Sequence, residues 1–451
     1  MSASSSRPTP PALPTVGAFT ASCLLVSNVV GSGIFTTTGF MARDLGEPWL
    51  ILALWAVGAF IALAGAMCYG ELGAALPHVG GDYLYLREAY GPLAAFLSGW
   101  VSFTVGFGAA VAAGAMSFAS YVQQAAHLGE LGRSAEVVIA LLLVWTLTAI
   151  HLAGVTTGGT IQRLLTIAKV GAIFALVGGA VLAGRGDWAH LSASPLSASP
   201  TPGLGTVAAS LIFVLYAYTG WNAAGYIAGE LDRPARTLPR TMVAGMVFVG
   251  AIYLALNLVY LYALPVETLA APPILPVAEK AAVALFGVGA ATFIALLLCV
   301  SIAAAVSAMI WAGPRVYVAL ARDGLLPVGF ACLGARGGAP GRAILLQSVW
   351  TTGLILTGTF EHLVVYAGLV LTAFSALTVS ALLVLRVNQP TLPRPYRVPL
   401  YPLTPLLYLT ASAAIVLYAT IARPNEGLWA AGTILAGLLA YYLGVRPRKH
   451  G

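Results

Sequence analysis

Residues 27–36 read S-N-V-V-G-S-G-I-F-T and place a Gly-Ser-Gly triplet in the middle of an apolar run long enough to cross a membrane. Glycine inside a helix costs about 1 kcal/mol relative to alanine. In lipid, an unpartnered main-chain polar group is so costly that an interrupted helix is tolerated only where it lines a cavity. The stretch therefore predicts a membrane helix that is broken at Gly31–Gly33 and binds something there. Close packing of two helices at small residues is the alternative.

The composition of the whole chain is that of a polytopic membrane protein. Of its 451 residues, 59% are hydrophobic and 8% are charged, and the mean hydropathy is +0.90, whereas a soluble domain has about 25% charged residues. Residues 1–15 are rich in Ser and Pro and are predicted to form a disordered cytoplasmic tail. Twelve segments are apolar enough to span a bilayer: 16–42, 48–75, 89–125, 135–154, 160–184, 203–229, 238–264, 283–312, 343–359, 363–386, 402–421 and 427–445.

The distribution of basic residues predicts the orientation of this bundle. If the N-terminus lies inside, sixteen of the 22 lysines and arginines fall on the inner side and five on the outer side. Cytoplasmic loops carry the excess of positive charge, so both termini are predicted in the cytoplasm of a multi-pass protein of the cell membrane. The formal charge of +7 is then a consequence of topology and indicates no nucleic-acid partner.

A second weak point, Thr219–Gly220, lies in the sixth span, where residues 215–222 read L-Y-A-Y-T-G-W-N. It follows the first weak point by about five spans. Broken helices at matching positions of two halves are typical of transporters built from inverted repeats, with the substrate at the bilayer midplane. We therefore predict an all-α membrane protein of twelve transmembrane helices, in which helices 1 and 6 are discontinuous. The repeats are 16–184 (helices 1–5) and 203–386 (helices 6–10), and helices 11–12 at 402–445 are additions.

The broken ends predict what the site binds. The half-helix that begins near Ile34 directs free N–H groups at the break, and these suit a carboxylate. The half-helices that end near Val30 and near Tyr216–Ala217 offer carbonyl groups, which suit an ammonium group. The pocket is also predicted to lack ionised side chains, and so to prefer a zwitterion over a multivalent cation. Four runs without any charged residue include helices 1, 3, 6 and 8: 8–42, 89–129, 188–229 and 281–314.

Five motifs resemble those of the amino acid–polyamine–organocation (APC) superfamily, in order and over essentially the whole chain. They are G-S-G-I-F at 31–35, Y-G-E-L-G-A-A-L-P-H-V-G-G-D-Y-L-Y-L at 69–86, Y-A-Y-T-G-W-N at 216–222, A-G-E-L-D-R-P-A-R-T-L-P-R at 228–240 and R-V-Y-V-A-L-A-R-D-G-L-L-P at 315–327. Within the superfamily the chain is most similar to bacterial amino acid permeases and to the L-type amino acid transporter branch. The resemblance implies a leucine-transporter-type fold and secondary transport of amino acids.

The resemblance also implies a substrate site. Thr219 stands where the L-type branch often has glycine, and its bulk and hydroxyl group favour small neutral amino acids. Tyr253 in helix 7 either reaches the same site or packs in the core. By position, the groups that hold the substrate's carboxylate and amino groups are in Val29, Gly31, Ser32 and Gly33, and helix 6 completes the site with Tyr216, Ala217 and Thr219.

Lys169 is the only basic residue well inside a span, and an intramembrane lysine costs about 2.5–3.5 kcal/mol on insertion scales. In the family that the chain resembles, a lysine of helix 5 replaces a bound sodium ion. This implies bonds from Lys169 to carbonyls of helix 1 and to the hydroxyl group of Ser301. Three roles stay open: a structural or gating contact, the carrier of a coupled proton, or a side chain that reaches to the inner interface.

Charges at the inner ends of the spans predict a gate. Glu71 ends helix 2, and Glu230 and Asp232 end helix 6 close to two arginines, Arg233 and Arg236. These side chains could form ion pairs that break when the protein opens inward. Ordinary interfacial charge, which contributes little energy, is the alternative. Trp221 either caps the pocket or packs beside it.

Together these features predict a secondary transporter of amino acids that works by alternating access, as a proton symporter or an exchanger. The alternatives are a carrier of another small amine or polyamine and, in a different class, a membrane-embedded sensor without transport. An enzyme would need a nucleophile–base pair or metal ligands at membrane depth, and six scattered histidines with almost no intramembrane carboxylates offer neither. The sequence requires no cofactor and no partner subunit.

Overall fold

The computed structural model describes residues 17–78, 80–126, 132–153, 155–192, 202–226, 228, 231–330 and 340–445. Within these ranges the regular structure is helical. The helices are α1 (Ala18–Val29), α2 (Gly33–Leu45), α3 (Pro48–Ala75), α4 (Asp82–Tyr90), α5 (Pro92–Val101), α6 (Gly108–Ala125), α7 (Arg133–Leu152), α8 (Val155–Ala183), α9 (Leu204–Tyr218), α10 (Ala223–Tyr226), α11 (Pro234–Ala263), α12 (Val266–Ala270), α13 (Val277–Phe286), α14 (Val288–Arg322), α15 (Gly341–Thr357), α16 (Phe360–Asn388), α17 (Leu403–Ala422) and α18 (Pro424–Ala440).

Ten helical stretches of the described chain are long and apolar enough to cross a membrane. The structure thus supports a many-helix membrane bundle. The sixth and ninth predicted spans coincide with the shorter helices α9 and α15, which have 15 and 17 residues. The eighth span extends farther than predicted, because α14 continues through Pro314 to Arg322.

Two spans are interrupted where the glycines predict an interruption. Helix α1 ends at Val29 and α2 begins at Gly33, so the three residues between them belong to neither helix. Helix α9 ends at Tyr218, and residues 219–222 form a turn before the short helix α10. Gly220 in this turn has a φ of +106°, a conformation that residues with a Cβ atom rarely adopt. The glycine therefore determines where the second break lies.

The broken helices lie in the centre of the bundle. Helix α1 packs against α11 and α14, and α2 packs against α9. The fully buried rings of Tyr218 and Tyr253 have centroids 4.9 Å apart, and Trp55 contacts Tyr253 at 5.4 Å. Such aromatic pairs add about 0.5–1.5 kcal/mol beyond their burial. The breaks are therefore held against a well-packed aromatic core.

Two further elements shape the space beside the breaks. Between α5 and α6, residues Ser102–Phe107 form a π-helix, a rare element that often marks functional sites. Trp350 Nε1 of α15 donates to Thr104 O in this segment at 2.9 Å. The short helix α4 lies between α3 and α5 and packs against α16, which places Asp82 close to the second break.

Candidate functional site

The two breaks contact each other. Asn28 Nδ2, at the end of α1, donates to the carbonyl group of Gly220 at 3.0 Å. Gly33 lies so close to α9 that a Cβ atom on it would be 2.8 Å from Ala217 Cβ and 2.9 Å from Ala217 Cα. The absence of a side chain at Gly33 is therefore what lets the start of α2 meet the end of α9.

The N-terminus of α2 directs N–H groups at the first break. The N–H groups of Gly33 and Ile34 have no backbone acceptor in the described part of the chain, as is usual at a helix start. Ser32, the N-cap residue, makes no capping hydrogen bond with its side chain. These donors and the positive end of the helix dipole together suit a carboxylate.

Lys169 of α8 is completely buried and bonds to the end of α1. Its Nζ donates to the carbonyl groups of Ser27 at 2.9 Å and Val30 at 2.5 Å. The predicted contact with helix 1 is therefore present, and full burial contradicts a side chain that reaches to the interface. The predicted bond to Ser301 is absent, because the Ser301 hydroxyl group is buried without a hydrogen-bond partner in the described structure.

The hydroxyl group of Tyr253 in α11 bridges the two breaks. It lies 2.8 Å from Val29 O and 2.9 Å from Ala217 O. A phenol has one O–H hydrogen, so Tyr253 donates fully to only one of these carbonyl groups at a time. Thr219 is also engaged with the main chain, since its Oγ1 donates to Tyr216 O at 2.7 Å.

A cavity of about 80 Å³ opens beside the breaks. Beyond the residues of the two breaks, the cavity wall includes the apolar side chains of Phe107 in the π-helix, Val306 in α14 and Leu371 in α16. Tyr253 and Lys169 are not among the residues that line the cavity. Both donate to carbonyl groups at the breaks. All seven of the other predicted substrate residues do line the cavity: Val29, Gly31, Ser32, Gly33, Tyr216, Ala217 and Thr219.

One end of the cavity carries a carboxyl group, that of Asp82 in α4. Its Oδ2 accepts hydrogen bonds from Asn222 Nδ2 at 2.8 Å and from the Tyr226 hydroxyl group at 3.2 Å. Burial raises the pKa of the Asp82 carboxyl group, and the hydrogen bonds from these side chains oppose part of that rise.

The structure thus places a carboxyl side chain, that of Asp82, in the wall of a pocket that was predicted to lack ionised side chains. That prediction considered only the apolar spans, whereas α4 lies between two spans and folds back beneath the second break. A local signal was present, because Gly80 and Gly81 directly precede Asp82 and both have positive φ angles. The 140 residues that separate Asp82 from Asn222 hide their contact from any local pattern.

The far end of α2 is packed shut. Phe40 stacks between Phe213 and Phe360, with ring centroids 5.5 and 6.1 Å apart. Next to this stack, Arg43 Nη2 and Arg423 Nη2 lie 2.9 and 3.0 Å from the same oxygen of Glu361. None of these residues lines the cavity, so the described cavity extends from the breaks toward Asp82.

The structure pairs Glu71 of the predicted gate with an arginine of another helix. Glu71 is 1% exposed, its Oε2 lies 2.6 Å from Arg386 Nη2, and the same oxygen accepts from the Val398 N–H at 2.7 Å. It therefore pairs with the end of α16 and not with Arg233 or Arg236, and its burial contradicts ordinary interfacial charge as well. The pairing joins residues 315 positions apart in the chain, which no local pattern indicates.

Of Glu230, a residue of the predicted gate, and Trp221, predicted to cap the pocket or pack beside it, the structure describes only Trp221. Glu230 lies outside the described residues. Trp221 lines the cavity and packs edge-on against Tyr69 and Tyr408, with centroids 6.1 and 6.3 Å apart. Both interpretations of Trp221, a pocket cap and a packed ring, therefore describe its position.

The arrangement is suited to noncovalent binding of a small molecule. Donors at the start of α2 and acceptors at the ends of α1 and α9 border one cavity, and these match the carboxylate and ammonium groups of a zwitterion. In the described part of the chain, no group of three or more His, Cys, Asp or Glu residues could hold a metal ion.

Comparison with known proteins agrees with this geometry. A family model described as "Amino acid permease" matches residues 16–439. The "Large neutral amino acids transporter small subunit 2" of Homo sapiens is 29% identical over 442 residues, covering 95% of this chain and 80% of that protein. The "b(0,+)-type amino acid transporter 1" of Rattus norvegicus is 30% identical over 439 residues, covering 95% and 87%. The "Asc-type amino acid transporter 1" of Mus musculus is 28% identical over 437 residues, covering 95% and 81%.

Proposed function

The chain belongs to the amino acid permease family, and we propose that it is a secondary transporter that moves amino acids across the cell membrane by alternating access. Family membership confirms the superfamily resemblance that the sequence motifs indicate. The observation that carries the proposal is the meeting of two broken helices whose N–H and C=O groups border one cavity. The names of the relatives, all amino acid transporters, support the class of substrate.

In this proposal the main chain recognises the substrate. The carboxylate binds the N–H groups of Gly33 and Ile34, and the ammonium group binds the carbonyl groups of Val29 and Ala217. Both carbonyls already contact the Tyr253 hydroxyl group, but a carbonyl oxygen has two lone pairs and the hydroxyl has one hydrogen. The substrate can therefore take the acceptor positions that Tyr253 leaves unfilled.

We propose small neutral amino acids as the substrates. Thr219 places a branched side chain in the cavity wall where glycine would leave more room, and its hydroxyl group already bonds to Tyr216 O. Apolar side chains such as Val306 and Leu371 line another part of the cavity, and a neutral substrate side chain needs no counter-ion beside them.

The wider architecture follows the same proposal. It comprises twelve transmembrane helices with repeats at 16–184 and 203–386, two further helices at 402–445, and both termini in the cytoplasm. In this orientation the Asp82 end of the cavity faces the cytoplasm, and the closed end with Phe40 and Arg43 faces outside. The structure then corresponds to a conformation whose cavity extends inward.

Counterflow into proteoliposomes tests the substrate assignment. With radiolabelled L-alanine outside, we expect unlabelled alanine, serine or glycine inside to accelerate uptake, and the same compounds outside to compete. Alanine methyl ester lacks the carboxylate and propionate lacks the amino group. We expect each to compete about ten- to a hundredfold more weakly, because a hydrogen bond to a charged group contributes about 1.5–3 kcal/mol.

The same assay tests the rival assignments. Competition by putrescine but by no amino acid would replace the substrate class with amines, and a lack of any uptake would favour a sensor. The protein is purified without another chain, because we propose that it needs no partner subunit. The name of the human relative calls that protein a "small subunit", so dependence of uptake on an added subunit would contradict this part of the proposal.

Replacement of Tyr253 with phenylalanine is expected to reduce alanine transport by about two- to tenfold. The change removes the hydroxyl group that bonds to both breaks, and one hydrogen bond contributes about 0.5–1.5 kcal/mol. Initial rates of counterflow measure the effect. The matched control is Tyr260→Phe, because Tyr260 is on the same helix, is fully buried and has a hydroxyl group without a partner in the described structure. Equal losses in the two variants would contradict a specific role for Tyr253.

We also propose roles for Lys169 and for the residues predicted to couple or gate transport. Lys169 ties the end of α1 to α8, and its release from the carbonyl groups of Ser27 and Val30 would accompany movement of α1. Ser301 enters this coupling only if Lys169 reaches it in another conformation. Glu71 acts by anchoring α3 to α16, and Trp221 acts as the cavity wall beside the second break.

A further inference from the structure

The two oxygens of Asp82 have different surroundings. Oδ2 is held by Asn222 and Tyr226, whereas Oδ1 is buried and has no hydrogen-bond partner in the described part of the chain. The hydroxyl groups of Tyr69 and Thr378 lie beside the carboxyl group and are likewise buried without a partner. Burial makes the ionised form of the carboxyl group costly, and the hydrogen bonds that it accepts offset only part of that cost.

Asp82 has no cationic partner in the described part of the chain. Among the described residues no lysine, arginine or histidine forms an ion pair with it, and Arg87 of the same helix pairs with Glu88 and Asp323 instead. Helix α16 contributes Thr378, which does not titrate. Tyrosines are neutral at the pH values where carboxyl groups titrate. Within the described ranges, the titratable side chains with an electrostatic interaction with Asp82 are tyrosines: Tyr69 of α3, Tyr85 of α4, Tyr226 of α10 and Tyr408 of α17.

We propose that Asp82 binds and releases a proton at the inner end of the cavity, and that its ionised form holds the second break against α4. The proposal rests on the proposed transport function and deepens it by assigning a proton site other than Lys169. The proton adds to the carboxylate and no other bond is made or broken. Because Asp82 lines the cavity, the proton arrives from cavity water and crosses no lipid.

Protonation acts on the break through two hydrogen bonds. Asn222 ends the turn at residues 219–222 and Tyr226 ends α10, and both donate to Asp82 Oδ2. Hydrogen bonds to an ionised acceptor are about twice as strong as neutral ones, so a proton on the carboxyl group loosens the contact between α10 and α4. Because the pKa of the Asp82 carboxyl group is raised, its protonation occurs closer to physiological pH than that of an exposed aspartate. The rate of conformational exchange therefore depends on pH through Asp82.

The test compares the wild type with Asp82→Asn, which preserves the shape of the side chain and cannot ionise. Counterflow of L-alanine is measured from about pH 4, close to the ordinary pKa of an aspartate, up to about pH 8. We expect the wild-type rate to change by about threefold or more and the Asp82→Asn rate to be nearly constant. Asp82→Glu should restore a pH-dependent profile with a displaced midpoint. The exposed Asp187 supplies the matched control, and Asp187→Asn should keep the wild-type profile.

Infrared difference spectroscopy of the purified protein between the same pH values needs no transport. We expect part of the C=O band of protonated carboxylic acids to be lost in Asp82→Asn and retained in Asp187→Asn. If the wild type transports no amino acid, the proposed function fails while this band still reports the proton site.

Three results would overturn the proposal. The first is an Asp82→Asn protein with the wild-type infrared band. The second is an Asp82→Asn protein that keeps the wild-type pH profile and has lost only competition by lysine or putrescine, since Asp82 then recognises a cationic substrate. The third is an Asp82→Glu protein whose pH profile of counterflow has the wild-type midpoint. This comparison replaces the first two if the Asp82→Asn protein does not fold.

Discussion

Replacement of Gly33 with alanine is expected to lower alanine transport by about ten- to a hundredfold. The new Cβ atom would lie 2.8 Å from Ala217 Cβ and 2.9 Å from Ala217 Cα. The second of these neighbours is main chain and cannot rotate away, so α2 and α9 have to separate. Overpacking of this kind costs about 1–3 kcal/mol, and the donors of α2 move away from the acceptors of α9. Initial counterflow rates, normalised to the amount of folded transporter, measure the loss.

Two comparisons separate this effect from a general cost of alanine. Gly178→Ala adds the same methyl group at an exposed position of α8 where nothing lies within 4 Å, and we expect it to transport like the wild type. Adding Ala217→Gly to Gly33→Ala removes the closer contact, so the double variant should recover part of the lost rate through coupling of the two sites. Equal activity of Gly33→Ala and Gly178→Ala would show that the two breaks do not need their close approach.

The interruptions of spans 1 and 6 could be predicted because their cause is local. Gly31 and Gly33, and later Gly220, stand inside apolar runs where a continuous helix would not choose glycine. The contact of Lys169 with helix 1 was expected from the family resemblance, whereas its position alone left three roles open. The inference of the breaks used only the cost of burying a polar group, which applies wherever the chain runs through lipid.

The missed features all depend on contacts between distant parts of the chain. Asp82 meets Asn222 across 140 residues and Glu71 meets Arg386 across 315, and neither separation leaves a periodic or compositional signal. The bridge from Tyr253 to both breaks is of the same kind, because a tyrosine in an apolar helix is equally compatible with core packing. Segments between spans, such as α4, were the weakest part of the prediction, since an amphipathic loop helix can face either the bundle or the solvent.

Replacement of Lys169 with alanine is expected to reduce transport by about thirtyfold or more. The lysine is completely buried and donates to the carbonyl groups of Ser27 and Val30. Each buried carbonyl group that loses its donor costs about 1–3 kcal/mol, so the pair costs at least about 2 kcal/mol, which corresponds to about thirtyfold in rate. The end of α1 is expected to shift, and with it the carbonyl group of Val29 at the cavity wall. Counterflow of L-alanine at equal pH on both sides measures this loss.

Lys280→Ala is the matched control, because the Nζ of Lys280 also donates to main-chain carbonyl groups, those of Thr268 and Ala271, but at an exposed site where water can replace it. We expect its transport to stay within about twofold of the wild type, as for most surface changes.

A pH gradient across the membrane adds the decisive comparison. If Lys169→Ala loses transport equally with and without the gradient, the lysine supports the broken helix and the coupled proton binds elsewhere, as the Asp82 proposal requires. If residual transport of Lys169→Ala merely stops responding to the gradient, Lys169 carries the proton itself. Unchanged transport and an unchanged response would remove Lys169 from the mechanism.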